Sequence, residues 1–361
     1  MESMDEQLEM FRRLTEAPGA PGHEQAVSSL MKEYLTPYAE SFFSDGLGSL
    51  IAQHTGDPQG PKVMIAGHMD EVAFMVTRIT DQGFLRIQPL GGWWSQVMLS
   101  QRVIVQTRDG MVEGVIGSKP PHLLKGDARK KALDIKDMYV DVGASSKEEA
   151  VSFGIRPGDT VIPVSPFTVM KNPKLLLGKA WDNRFGIAAA IDVMKRLAKE
   201  GHPNILYSVG TVQEEVGLRG AQTAVQTVIP DIAFALDVGI DAGTPGITED
   251  EATTYLGKGP SIGIYDATMV PHKGLRDFVF QVANECNLPF QYETIPGGGT
   301  DAGRFHLAGK GIPSLNITVP ARYIHSHVSI IHRDDYDTAI ELLVQVIQRL
   351  DHSTVEKLRT Y

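Results

Sequence analysis

The sequence predicts an α/β fold: a mostly parallel mixed sheet flanked by helices, with a small β-rich unit inserted into the chain. Three observations carry this expectation. Apolar strand-like runs alternate with segments of helical period, short β-rich runs without helices crowd between residues 71 and 165, and several apolar runs end in charged residues. Charged ends of that kind suit the carboxyl edge of an open α/β sheet, where ligands bind.

Taken in order, the chain opens with helix-like spacing from Met4 to Leu14 and again from Glu24 to Leu35. SLIAQH and KVMIAGHMD then read as strands, the second stopping at His68 and Asp70. From Glu71 to about Ser165 the runs AFMVTRI, FLRIQPL, QRVIVQT, MVEGVIG, MYVDVGA and DTVIPVS are separated by turn signals such as DQG, RDG and RPGD. This stretch reads as a small β-barrel or sandwich, with the barrel as the working expectation. The expected division is therefore 71–165 as an inserted unit interrupting a main unit made of 1–70 and 166–361. Trp93 and Trp94 are expected in the core of the insert.

Beyond the insert the alternation resumes. FGIAAAIDVMKRLAKEG is helix-like, NILYSVGTVQ strand-like, GAQTAVQTV helix-like and DIAFALDVG strand-like. LRDFVFQVANECN, FQYETIP, SLNITVP and a closing helix through DYDTAIELLVQVIQRLDH complete the pattern. Strands separated by helices imply a largely parallel sheet covered on both faces.

Composition narrows the function. At 361 residues the chain is longer than one core usually spans, and 42% hydrophobic residues suffice for a well-buried interior. A net charge of −10 gives no general electrostatic reason to bind nucleic acid or an anionic membrane. The single cysteine, Cys286, allows no intrachain disulfide and no cysteine zinc cluster, which suits a reducing compartment, with cytoplasm the expected address. The acidic amino terminus lacks the basic start of a secretory signal, and no stretch approaches the roughly twenty apolar residues of a membrane span.

The chemistry gathers at the ends of strands. MIAGHMD supplies His68 and Asp70, TVQEE supplies Glu214 and Glu215, AFALDVG supplies Asp237, YIHSHVS supplies His325 and His327, and GKAWDNRFG adds Asp182 before a helix. Acids facing one crevice repel each other unless a cation intervenes. Imidazole with carboxylate suits zinc, cobalt or manganese, and two histidines with three acids can hold two ions if one carboxylate bridges them. Asp70, two residues after His68 on the same strand face, is expected to orient the imidazole.

These motifs, AGHMDEV, GKAWDNRFG, VQEEVGLRGA, ALDVG, GGGTDAG and RYIHSH, occur in an order that resembles the tetrahedral aminopeptidases across essentially the whole chain. That group of dinuclear metallopeptidases includes glutamyl and deblocking aminopeptidases. The resemblance implies a zinc-peptidase-like main unit holding two divalent ions, zinc or cobalt, with Asp182 bridging them. His68 and Asp237 would complete one site, Glu215 and His325 the other. Glu214 would be the general base, and Thr300 and Asp301 contacts for the first residue of a short peptide. Strand periodicity would also allow His327 as a ligand, but the family pattern uses the first histidine of HSH, which makes His327 a neighbour of the site. It also implies that the insert forms dimer contacts and that dimers assemble into a twelve-subunit shell.

Two other functions compete with this one. A glycosidase of endoglucanase type would use paired carboxylates, but places them about 5 to 9.5 Å apart across the scissile bond and gives the histidines no role. A catalytically silent peptide-binding assembly module would lack a ligand or the base, whereas every expected position is filled.

Overall fold

The computed structural model describes residues 5–359; Met4, where the helical spacing of the sequence begins, lies outside them. That helix runs Glu6–Glu16 and the next Gln25–Leu35. The largest sheet has eight strands in the order Ser41–Ser44, Leu50–Thr55, Ile205–Thr211, Lys62–His68, Ile232–Ile240, Ser314–Ala321, Ser261–Asp266 and Gln291–Ile295. Its middle four strands are mutually parallel, while the Leu50–Thr55 and Ser261–Asp266 strands join them antiparallel. The sheet is thus mixed and mostly parallel, as the sequence predicts.

Both faces of the sheet are covered, which is why its central strands read as unbroken apolar runs. In Lys62–His68, Val63 and Ile65 point into one core with the long helix Trp181–Glu200 and the helix Arg333–Ile347. Met64 and Ala66 point into the other, with the helix Arg219–Val228. The long helix comes unusually close to the sheet. A Cβ on Gly67 would stand 2.4 Å from the Gly186 carbonyl carbon, so only glycine permits this crossing. That approach brings the start of the helix, with Asp182, up to the strand end that carries His68.

The inserted runs form a closed six-stranded antiparallel barrel, with strands between Ala73 and Pro163. Phe74, Val76, Leu85, Val103, Val105, Ile116, Val140 and Val161 fill it, one side chain in two along each strand. Trp93 stacks on Phe74 with ring centroids 4.6 Å apart, and its Nε1 donates to the Ala73 carbonyl. Trp94, expected in the same core, is 61% exposed. Its backbone is extended, so adjacent side chains project to opposite sides and only one indole can face inward.

Several elements escaped the sequence pattern, among them the strand Ser41–Ser44 and the helix His352–Arg359. The strand Ser261–Asp266 is short and follows a Gly-Lys-Gly-Pro stretch that reads as loop. A three-stranded sheet of Thr168–Val169, Leu175–Gly178 and Ser329–His332 ties the chain after the barrel to the segment following the HSH motif.

Candidate active site

Strand register sets the site. Thr211 lies opposite His68, and Asp237 opposite Thr318, so the carboxyl ends of the parallel strands reach one edge together. Beyond Thr211 the strand has ended, and Gln213 takes the left-handed conformation (φ 55°). Glu214 then opens a tight turn, its carbonyl accepting from the amides of Gly217 and Leu218 at 2.9 Å each. Because that backbone is no longer a strand, both neighbouring carboxylates can face the same cleft.

Asp182 stands at the centre of the cluster. Its Oδ1 lies 3.0 Å from His68 Nε2 and its Oδ2 lies 3.4 Å from His325 Nε2. The peptide joining it to Asn183 is cis. His325 Nε2 is also 3.4 Å from Glu215 Oε2, while His68 Nε2 is 3.8 Å from Glu214 Oε2 and 3.9 Å from Asp237 Oδ1. Among the described residues, two sets of three ligand atoms lie within 4.8 Å of one another: His68, Glu214 and Asp237, and His68, Asp182 and Glu215. Four of the five expected ligands and the expected base fall within these sets; His325 lies outside both and joins the cluster through its 3.4 Å contacts with Asp182 and Glu215.

The electrostatics of this cluster are unfavourable for carboxylates alone. Burial pushes Asp237 well above the usual range, and the nearby Asp182 pushes it further. Burial likewise raises Glu214, and burial with Asp182 raises Glu215 to about 8. Asp182 goes the other way: burial would raise it, but the hydrogen bonds from His325 and His68 outweigh that and hold it down. Burial would lower His325, yet Asp182 and Glu215 raise it to about 10. Glu215 Oε1 is buried without a hydrogen-bond partner. Crowded oxygens, imidazole nitrogens and an orphaned carboxylate oxygen form a donor set that fits hard-to-borderline divalent cations.

The supports of the cluster were less visible beforehand. The Asp70 carboxylate, fully buried, accepts the Glu214 amide on Oδ1 at 2.9 Å and the Glu215 amide on Oδ2 at 3.0 Å. His68 Nδ1 is 3.5 Å from Asp70 Oδ1 but 3.1 Å from the Asp70 carbonyl oxygen, the better acceptor. Asp70 thus grips the glutamate turn with its side chain and the imidazole with its backbone. Glu24 Oε1 adds a further grip, accepting the Gln213 amide at 3.0 Å. Beneath lies a buried ion network: Lys179 Nζ is 2.6 Å from Glu71 Oε1, and Arg184 contacts the same oxygen at 3.2 Å. Arg184 also donates to the carbonyls of Leu14, Ala17, Met69 and Asp70, which fixes the chain on either side of the site.

The inserted unit reaches the site as well. The Gly92 carbonyl accepts from His325 Nδ1 at 2.8 Å, which leaves Nε2 toward Asp182 and Glu215. His327 is buried against Trp93, its ring nitrogens without partners, and burial lowers it to about 4. It is therefore a neutral neighbour that, unlike His325, contacts none of the clustered carboxylates.

The cluster opens into a cleft of about 720 Å³. Thr300 lines it, together with Gly297, Gly298 and Gly299. Asp301, expected as a substrate contact, is buried behind that lining, where Oδ2 accepts from Thr211 Oγ1 at 2.5 Å. Nothing in its sequence context distinguishes a cleft-facing carboxylate from one held by a threonine below.

Comparison with known proteins places the chain among aminopeptidases. The family model described as M42 glutamyl aminopeptidase matches residues 48–342. Glutamyl aminopeptidase of Lactococcus lactis is 35% identical over 360 residues, covering 98% of this chain and all of the relative. The TET aminopeptidase of a marine sediment archaeon of the Thaumarchaeota superposes with a TM-score of 0.96 at 46% identity, covering 98% of this chain and 99% of the other. The TET1 peptidase of Pyrococcus horikoshii, described as assembling into a tetrahedron or a large octahedral shell, gives 0.86 at 31% identity over 95% of this chain and all of its own.

Proposed function

Because the chain belongs to the M42 glutamyl aminopeptidase family and is a hydrolase of that kind, we propose that it removes the first residue of short peptides at a centre of two divalent cations. The observation that carries the reading is Asp182, whose two carboxylate oxygens face two different histidines. His68 and Asp237 would share one ion with it, and Glu215 and His325 the other. Zinc or cobalt suits this nitrogen and oxygen set and would supply Lewis acidity toward the scissile carbonyl and acidify the attacking water.

The chain's own residues supply the rest. Glu214, on the cleft side of the turn, takes the water's proton as the water oxygen bonds to the carbonyl carbon, and delivers it to the amine as the C–N bond breaks. Asp70 holds Glu214 and Glu215 in register by their amides, so two adjacent acids reach the one cleft from fixed positions. Gly92 fixes the His325 tautomer. A glycosidase reading would leave both histidines without a task.

We further propose that 1–70 and 166–361 form the catalytic unit, that 71–165 mediates dimer contacts, and that dimers build a closed homo-oligomer, following the assembly described for the TET1 relative. No helix among the described residues is long and apolar enough to cross a membrane, and the lone Cys286 suits the reducing cytoplasm, where we place it.

Kinetics and metal content of two variants test the mechanism. Glu214→Gln should keep its metal while kcat falls by roughly 10² to 10⁴. Glu215→Ala should release one ion, and chelation should silence the parent enzyme. Full turnover by metal-stripped protein, or by Glu214→Gln, would end the reading.

A further inference from the structure

We propose that Glu293 sets the side-chain preference of the cleft, selecting peptides whose first residue is lysine or arginine; this rests on the aminopeptidase reading above. Glu293 sits on the strand Gln291–Ile295 at the sheet's edge, paired with Gly263. Its side chain spans the intervening strand to Thr318, whose Oγ1 donates to Oε2 at 2.6 Å. The residue is 3% exposed and lines the cleft. Among the described residues nothing donates to its other oxygen, Oε1.

Gly239 makes room for that oxygen. A Cβ there would stand 1.7 Å from Glu293 Oε1, so no other residue fits while the carboxylate keeps its place. Gly239 is two residues beyond Asp237, and both line the cleft. Glu293 Oε1, which no side chain or amide among the described residues meets, thus lies over Gly239 in the lining of the cleft, close to the candidate metal ligands.

A buried carboxylate with one free oxygen is costly unless a cation or donor meets it. Burial, with Asp266 nearby, raises this carboxyl to about 7. An ammonium or guanidinium arriving from the cleft would relieve that cost, and Val238, Ile240, Ile295 and Ile324 offer apolar wall for its methylene stem. Glu251, exposed on the same lining, adds a second negative group. Arg304 also lines the cleft, but it is exposed and screened by solvent, so it does not offset a desolvated acid.

Lysine and norleucine p-nitroanilides test this, because they share a four-carbon stem and differ in the terminal charge. The unaltered enzyme should favour lysine by about tenfold or more in kcat/KM. Glu293→Gln, which keeps an acceptor for Thr318, should bring the ratio to about 1, chiefly through KM for lysine. A ratio at or below 1 in the unaltered enzyme, a measurement independent of how the variant folds, would overturn the inference. So would an unchanged ratio in a folded variant. Turnover of neither substrate would overturn the aminopeptidase reading itself, and this inference with it.

Discussion

Asp70→Asn is the most informative change to the glutamate turn. The carboxylate is fully buried and spends one oxygen on each of two consecutive amides, at 2.9 and 3.0 Å. Asparagine has the same shape but only one oxygen, so its NH₂ must oppose either the Glu214 or the Glu215 N–H. One charge-assisted bond worth about 1.5 to 3 kcal/mol is lost, and a buried donor is left facing another donor. Relief requires the turn to shift, and a displacement on the order of 1 Å at the base can cost ~10² in rate. The expected result is a fall in unfolding free energy of about 2 to 4 kcal/mol by urea titration, together with a kcat loss near a hundredfold on a chromogenic aminoacyl substrate. A variant whose kcat and urea midpoint both match the parent would show that the two amide bonds do not position the glutamates.

Two further outcomes can be stated. Burial holds the Glu293 carboxyl at about 7 against an ordinary 4.5. The folded protein therefore binds a proton that the unfolded chain has released between these values, and stability falls as pH rises through that window, by up to about 3 kcal/mol. Glu293→Gln lacks this loss, so its urea midpoint relative to the parent should rise from pH 5 to pH 8; a constant difference would refute the assignment. Replacing 71–165 with a short linker should yield a smaller species by light scattering, and a soluble deletion variant of unchanged mass would contradict a role for the insert in assembly.

What could be read from the sequence was whatever obeys a local rule. The strand ends His68 and Asp237 follow apolar runs with nothing else to explain a polar residue, and the six barrel runs carry their own alternation. Asp70 was legible as a partner of His68 but not as the clamp on Glu214 and Glu215, because those amides are 144 and 145 residues away and backbone donors leave no trace in residue identity. The same holds for Lys179, Glu71 and Arg184, which read as ordinary charges until the fold buries them together. Trp94 was misplaced for the opposite reason: hydrophobicity alone says nothing about which of two adjacent side chains an extended backbone turns inward. Glu293 lay on a recognised strand-like run, but its importance depends on the absent side chain at Gly239, a vacancy that periodicity cannot register.

The bond that His325 Nδ1 donates to the Gly92 carbonyl gives the insert a stake in the chemistry. A boundary drawn at residues 71 and 165 separates two folding patterns, yet it cuts through a single working part, since an imidazole of one unit takes its orientation from a carbonyl of the other. The insert cannot then drift freely in length or loop shape as an ordinary appendage can. Grafting a relative's barrel onto the main unit would preserve the orientation of His325 only if the graft delivered a carbonyl to the same point in space, so the two units have to be engineered as a pair.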